Sequence, residues 1–358
     1  MLRGSEDLVR PTIESVASHA GVSRQTVSNA LNAPERLKPE TLARVLDSIS
    51  SLGYRPSQSA RNLRTQSTRL IGFRFARSAG SGIASIEDRF LHALCSAARD
   101  RGYGVLVFAA DADDDELAVY EDLLSRGAVD AFVLMNTHHG DPRPPWLSAH
   151  EVPFVSFGRP WQRLSKPHSW VDVDGRRGLR LVVEHLVAAG HRRIGFLGWP
   201  EHSEVGRDRH QGWLDGIEAA KLPTHQLTAH GHDGIAVGSE LAERLLSRRH
   251  PPTALACVSD AVAVGAMRAV EQRGLAVGRD VAVVGFDDSP LATVVTPGLS
   301  SVRQPLESVA EKCVDLLLRQ ISDHTAIPLK LVVPPTLIVR GSSQPAGSTP
   351  AIPSEGTP

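Results

Sequence analysis

The chain has 358 residues, 41% hydrophobic and 22% charged, with a net charge of -1, which supports a sizeable core and two or three globular domains. No run of eighteen apolar residues occurs, and the opening "MLRGSEDLVRPT" places acids where a secretion signal needs an apolar core, so a cytoplasmic location without membrane contact is expected. The three cysteines, Cys95, Cys257 and Cys313, are odd in number and far apart in apolar surroundings, and read as buried free thiols rather than bridges or metal ligands.

The charge is unevenly spread. Through Arg69 there are ten basic residues against six acidic ones, net +4, and the remainder has 29 against 34, net -5. Between Asp47 and Glu87 there is no acid, while Arg55, Arg61, Arg64, Arg69, Arg74 and Arg77 fall in that window. A polyanion partner accounts for this window, and so does a solvated basic linker.

Thr12 suits an N-cap, Glu14 suits a first turn, and Ile13, Val16, Ala17 and Ala20 follow i, i+3, i+4, i+7 spacing, which predicts an amphipathic helix. Gly21 permits the left-handed backbone of a tight turn, Val22 plugs the angle between helices, and Ser23 caps a second helix that buries Val27, Ala30 and Leu31. A third begins at "KPET", with Pro39 in its first turn, and runs through Leu42, Val45, Leu46, Ile49 and Leu52 until Gly53 stops it. Three short helices around one small core, with a glycine turn, describe a helix-turn-helix. Arg24, Gln25, Ser28 and Asn29 then lie outward near the start of the recognition helix, where base edges in a major groove are reached. Arginine can fork onto guanine, and glutamine or asparagine onto adenine. A generic three-helix module with a polar solvated face is the alternative.

The ordered set "TIESVASHAGVSRQTVSNALN", "LGYRPSQSARNLRT" and the strand "LIGFRF" resembles the lactose-repressor (LacI/GalR) family of bacterial transcription regulators, and the likeness continues less strictly toward residue 340. The resemblance implies DNA contacts at Thr12, Ser23, Arg24, Gln25, Thr26, Ser28, Asn29 and Tyr54. It also implies a hinge over residues 58–68 that forms a short helix on DNA, with Ala60 and Leu63 at the positions that enter the minor groove and Arg61 and Arg64 beside them. A helix that short needs partner and DNA to order it, and an apolar wedge unstacks a base step and bends the duplex. Asn29 departs from the arginine common in relatives, so the operator DNA is inferred only as a palindrome.

From Leu70 onward, apolar runs ("LIGFRF", "GVLVFAA", "AFVLM", "PFVSF", "WVDVD", "RIGFLG", "TALACVS", "VAVVGF") alternate with amphipathic segments such as "DRFLHALCSAARDRG". That rhythm predicts parallel sheets with crossover helices, and its length fits two doubly wound subdomains with a ligand cleft at the carboxyl ends of the strands. The expected fold is an N-terminal all-α helix-turn-helix domain (1–57) and an α/β domain of two doubly wound subdomains (69–340); the resemblance implies that a hinge (58–68) joins them and that the second domain is periplasmic-binding-protein-like. The family architecture implies three crossings between subdomains, placed near residues 165, 295 and 325. After Arg340, "GSSQPAGSTPAIPSEGTP" has no apolar periodicity and reads as a disordered tail over 341–358. That tail lacks the leucine heptads that assemble lactose repressor into tetramers, so a homodimer is expected.

Enzyme readings find little support. "GSGIAS" is a near miss to a dinucleotide fingerprint, with Ser85 at the third glycine, and no "GxxxxGK" run exists. Adjacent His138 and His139 cannot both face one metal from a regular element, and neither "HExxH" nor paired cysteines occur, so no metal or cofactor is expected. Sugar recognition explains the cleft better, because carboxylates and guanidinium groups hold hydroxyl arrays while aromatic faces cover the apolar side of a ring. Arg209 in "GRDRHQGW" and Asp287 in "VVGFDDSP" match family positions that hold effector hydroxyls; a surface ion pair and a turn cap are their bland alternatives. Ser259 stands where several sugar-responsive relatives have asparagine, next to Asp260. "SFGRPW" replaces the carboxylate some members place after the fourth strand, which makes Arg159 and Trp161 candidates for specificity, together with Trp199 after "RIGFLG"; each tryptophan reads equally as lid or interface. The expected protein is a repressor of sugar uptake or catabolism genes controlled by a mono- or disaccharide. The alternatives are the same fold with a nucleobase-like corepressor, and a sugar-binding protein or enzyme without DNA function.

Overall fold

The computed structural model describes residues 11–54, 67–75, 86–323 and 325–344, and the chain divides into two compact units, 1–68 and 69–358. In the first unit three helices, α1 (Ile13–Ala20), α2 (Arg24–Asn32) and α3 (Pro39–Leu52), enclose a core of Val16, Ala17, Ala20, Val27, Ala30 and Val45. The α1–α2 angle is set by Gly21 at φ +64°, a left-handed conformation that leaves its amide on the carbonyls of Ala17 and Ser18. Leu46, expected inside, is 46% exposed; Val45 takes the inward position, and Ser48, buried one turn on, satisfies its hydroxyl on the Arg44 carbonyl.

The second unit holds two six-stranded sheets. The first consists of β1 (Leu70–Phe75), β2 (Gly104–Ala109), β3 (Ala131–Leu134), β4 (Phe154–Phe157), β5 (Ser169–Val173) and β11 (Lys330–Val333) in the order β11-β5-β4-β3-β1-β2, all parallel. The second consists of β6 (Ile194–Gly198), β7 (Thr228–His230), β8 (Ala254–Cys257), β9 (Ala282–Asp287), β10 (Ser300–Arg303) and β12 (Thr336–Ile338) in the order β12-β10-β9-β8-β6-β7, with only β12 antiparallel. Their central strands are buried on both faces, which explains the continuous apolar runs of the sequence. Each sheet has its own core, one around Phe73, Phe90 and Phe157, the other around Phe196, Trp213 and Phe286.

The crossings between these two lobes fall one strand later than expected: after β5 at Asp174, after β10 at Gln304 and Pro305, and after β11 at Pro334 and Pro335. The loops at 165, 295 and 325 resemble linkers in composition, yet each returns to its own sheet for one more strand. The fold also continues past residue 340. Gly341–Ser343 form a 3-10 turn whose Ser342 and Ser343 are buried, with Ser342 Oγ accepting from the Ser300 amide at 2.9 Å, so the expected tail onset at 341 is too early. Cys257 and Cys313 are buried, whereas Cys95 is exposed, against expectation: it lies on the outer face of the helix Ile86–Asp100. Among the described residues no helix is long and apolar enough to cross a membrane.

Candidate DNA-reading helix and effector cleft

In the first unit the hydroxyls expected at DNA are first of all helix caps. Thr12 Oγ1 accepts from the Ser15 amide at 3.2 Å while Ser15 Oγ accepts from the Thr12 amide at 2.9 Å, a reciprocal cap. Ser23 Oγ accepts from the Thr26 amide at 3.1 Å and lies 2.9 Å from the Thr26 hydroxyl. The caps fix where α2 starts, and α2 then presents Arg24 and Gln25 to solvent. Arg24 reaches Glu14 at 3.0 Å, and both are two-thirds exposed, a pairing weak enough for a phosphate or guanine to displace. Gln25 Nε2 donates to Asn29 Oδ1 at 3.0 Å, so the two amides on this face are already aligned side by side. Ser28 is half-buried, and its carbonyl accepts from Asn32 at 2.7 Å. Tyr54 packs partly buried against the module's core. Ala60, Leu63 and Arg64, with residues 55–66 as a whole, lie outside the described residues.

In the second unit a cleft opens between the carboxyl ends of the two sheets, where doubly wound folds bind their ligands. It is lined from the first lobe by Asn136, Thr137, Trp161 and Asp172, and from the second by Trp199, Asp208, Arg209 and Phe286, with Gln304 at a crossing. Arg209 is 6% exposed; its guanidinium carbon lies 3.7 Å from the Phe286 ring centroid and 5.0 Å from that of Trp199, so two aromatic faces clamp it. Its Nη1 donates to the Val258 carbonyl at 2.6 Å and its Nη2 lies 3.5 Å from Asp287 Oδ1. Asp287 also accepts from Gln304 Nε2 at 2.6 Å; burial raises its carboxyl pKa, and Arg209 opposes that rise.

Arg159 sits across the cleft, bonded through Nε to Asp172 and 5.5 Å over the Trp161 ring. Its Nη1 lies 3.8 Å from Asp208 in the other lobe. Asp208 accepts from the Arg176 amide at 3.0 Å, and burial lifts its carboxyl above the usual range. Of the expected effector residues, Trp161, Trp199 and Arg209 line this cleft, while Asp287 and Arg159 stand behind it, paired with Arg209 and Asp172.

Ser259 and Asp260 are turned away from it. Ser259 Oγ accepts from the Val262 amide at 3.2 Å, capping the helix Asp260–Gln272, and donates to Asp233, which also accepts from Trp199 Nε1 at 3.0 Å. Asp260, 2% exposed, accepts from the Ser289 amide at 2.6 Å and the Ser301 hydroxyl at 2.5 Å. Burial first, then the Asp287 charge, pushes its pKa up to about 7. Both residues therefore support the cleft walls instead of forming them. Gly285 makes the room: a Cβ there would lie 2.3 Å from Asp260 Oδ1.

His138 and His139 take separate roles. Ligand-type atoms of Asp113, His138 and Asp141 lie within 4.8 Å of one another, but both Asp141 oxygens are held by Arg143, at 2.9 and 2.8 Å, which makes the group an ion-pair network.

Residues 12–57 match the bacterial regulatory proteins of the lacI family, and residues 183–343 match the periplasmic binding protein-like domain. The chain is 32% identical over 337 residues to the HTH-type transcriptional regulator CelR of Thermobifida fusca, covering 93% of this chain and 98% of that one. The chain belongs to the LacI family. It is a DNA-binding transcription regulator, as its curated relatives are, and not an enzyme. The HTH-type transcriptional regulator AglR of Rhizobium meliloti (strain 1021) is 31% identical, with 93% and 94% of the two chains covered. Among solved structures, a CelR–cellobiose complex superposes with a TM-score of 0.71 at 30% identity over 93% of this chain and 100% of that one. The lac repressor dimer bound to operator and the anti-inducer ONPF gives 0.80 at 27% over 93% and 99%.

Against its family background, the cleft of this LacI-family chain includes residues that the sequence reading passed over. Asp208 stands beside Arg209 in the same quoted run, on one helical stripe with Glu204 and Val205, and that stripe was a usable signal. Asp172 is the next-to-last residue of a strand of alternating burial, "SWVDV", on its less buried side. Asn136, at φ +56°, and Thr137 follow β3, and nothing in their local pattern marks them.

Proposed function

We propose that the chain is a repressor that acts in the cytoplasm as a homodimer on palindromic operator DNA, with a small sugar in the cleft setting its operator affinity. The observation behind this reading is the Arg209 guanidinium clamped between Phe286 and Trp199 and paired with Asp287, next to Asp208 on the same wall, with Asp172 and Trp161 on the opposite wall and Arg159 bonded to Asp172. Such a wall offers charged hydrogen-bond groups to hydroxyls and aromatic faces to a ring. Likeness to a regulator whose structure holds cellobiose favours the same ligand class.

Residues from both lobes line the cleft, so a ligand bound there favours one lobe spacing over another and couples to DNA affinity through that equilibrium. Gln25, Arg24 and Asn29 read bases, and Thr12, Ser23 and Thr26 fix the helices that carry them. The test is a thermal-shift screen of mono- and disaccharides on the full chain, followed by operator binding with each hit. A sugar that raises the melting temperature and changes operator affinity supports the reading. Stabilisation by a nucleobase and by no sugar would replace the ligand class.

A further inference from the structure

The two lobes meet at a backbone peptide as well as at the cleft's side chains. Arg89, on the helix Ile86–Asp100 of the first lobe, donates from Nη1 to the Asp287 carbonyl oxygen at 2.7 Å, across to the end of β9 in the second lobe. The opposite end of that same peptide unit is the Asp288 amide, which donates to Ser301 Oγ at 2.9 Å. Ser301 Oγ in turn donates to Asp260. One peptide plane is thus pinned at its oxygen by one lobe and at its nitrogen by the other.

The backbone at this point is strained. Asp287 has φ +101° and Asp288 φ +45°, two consecutive non-glycine residues in territory that L side chains rarely adopt. Such a conformation persists only where its surroundings over-determine it. Its anchors here are Gln304 and Arg209 on the Asp287 carboxylate, Arg303 and Arg340 on that of Asp288, Ser301 on the amide and Arg89 on the carbonyl. Of these, Arg89 alone comes from the body of the first lobe.

We propose that Arg89 is a positioning residue that couples cleft occupancy to lobe arrangement, by holding the Asp287–Asp288 peptide from across the cleft. A ligand hydroxyl that engages Arg209 or Gln304, which line the cleft and hold the Asp287 carboxylate, shifts a peptide already under strain. The carbonyl then moves relative to Arg89, and the helix Ile86–Asp100 follows. This inference rests on the sugar-responsive reading above, but the peptide's dependence on Arg89 can be tested without any sugar.

The experiment compares full-length wild type, Arg89→Met and Arg89→Lys by two readouts, with melting temperature as the folding control. In the first, operator affinity is measured with and without saturating cellobiose, beside the affinity for cellobiose itself. Arg89→Met is expected to keep cellobiose affinity and lose most of the ratio between the two operator affinities, while Arg89→Lys, which retains a donor, recovers part of it. In the second, amide exchange over residues 286–290 is followed on ligand-free protein, and Arg89→Met is expected to raise it several-fold while Arg89→Lys does so less. An unchanged operator ratio in a cellobiose-responsive protein, or unchanged exchange in Arg89→Met, overturns the proposal. A wild type blind to cellobiose speaks against the choice of sugar, and the exchange measurement then decides the role of Arg89.

Discussion

Arg209 Nη2 lies 3.5 Å from Asp287 Oδ1, at a point where the arginine is 6% exposed and burial raises the carboxyl pKa. The pair therefore supports the fold, and under the proposed function Arg209 also meets the ligand. Arg209→Met should cost about 3 kcal/mol in urea unfolding, because it leaves a shielded carboxylate without its counter-charge. Adding Asp287→Asn should recover part of that loss. Sugar affinity should fall by roughly 1–3 kcal/mol in the single variant through unmatched polar groups. Stability and sugar binding both at wild-type level would remove Arg209 from the site.

Gln25 and Asn29 are hydrogen-bonded to each other and face solvent. Replacing Gln25 with alanine should cost about 1–3 kcal/mol on the cognate operator and relax base preference at one position of each half-site. Fluorescence anisotropy on a set of operator variants measures both. Equal losses on operator and random DNA would contradict base reading by this residue.

Asp260 titrates at about 7 in the folded protein, against an ordinary 3.8, because it is buried and near Asp287. The folded state holds this proton more tightly than the unfolded chain, so the contribution is full below about pH 4 and is lost as pH rises toward 7. Urea unfolding across that range should show the decline in wild type and a flatter profile in Asp260→Asn. Identical profiles would place Asp260 as an ordinary ionised carboxylate.

Much of this was legible in the sequence. Caps at Thr12 and Ser23, the Gly21 turn and 3.6-residue spacing are local, so they specify the three-helix unit directly. Strands with two buried faces announce themselves by continuous apolar runs. The crossings were misplaced because a loop that changes lobes and a loop that stays have the same composition; only pairing distinguishes them. Ser259 and Asp260 were read into the cleft from the family position where several relatives have asparagine, and a polar residue after a strand looks alike whether it meets ligand or a neighbouring loop. Ser289 and Ser301, which draw Asp260 inward, lie 29 and 41 residues away. Asp172 and Asp208 were missed for the converse reason: their roles depend on Arg159, which reaches both only in the folded lobes.

The most direct test of the account is operator affinity of the full-length protein, measured on one palindromic duplex and one scrambled duplex, with and without each sugar that stabilises it. The account predicts preference for the palindrome and at least one mono- or disaccharide that changes that affinity tenfold, about 1.4 kcal/mol of coupling. Palindrome binding that no bound sugar alters would contradict it.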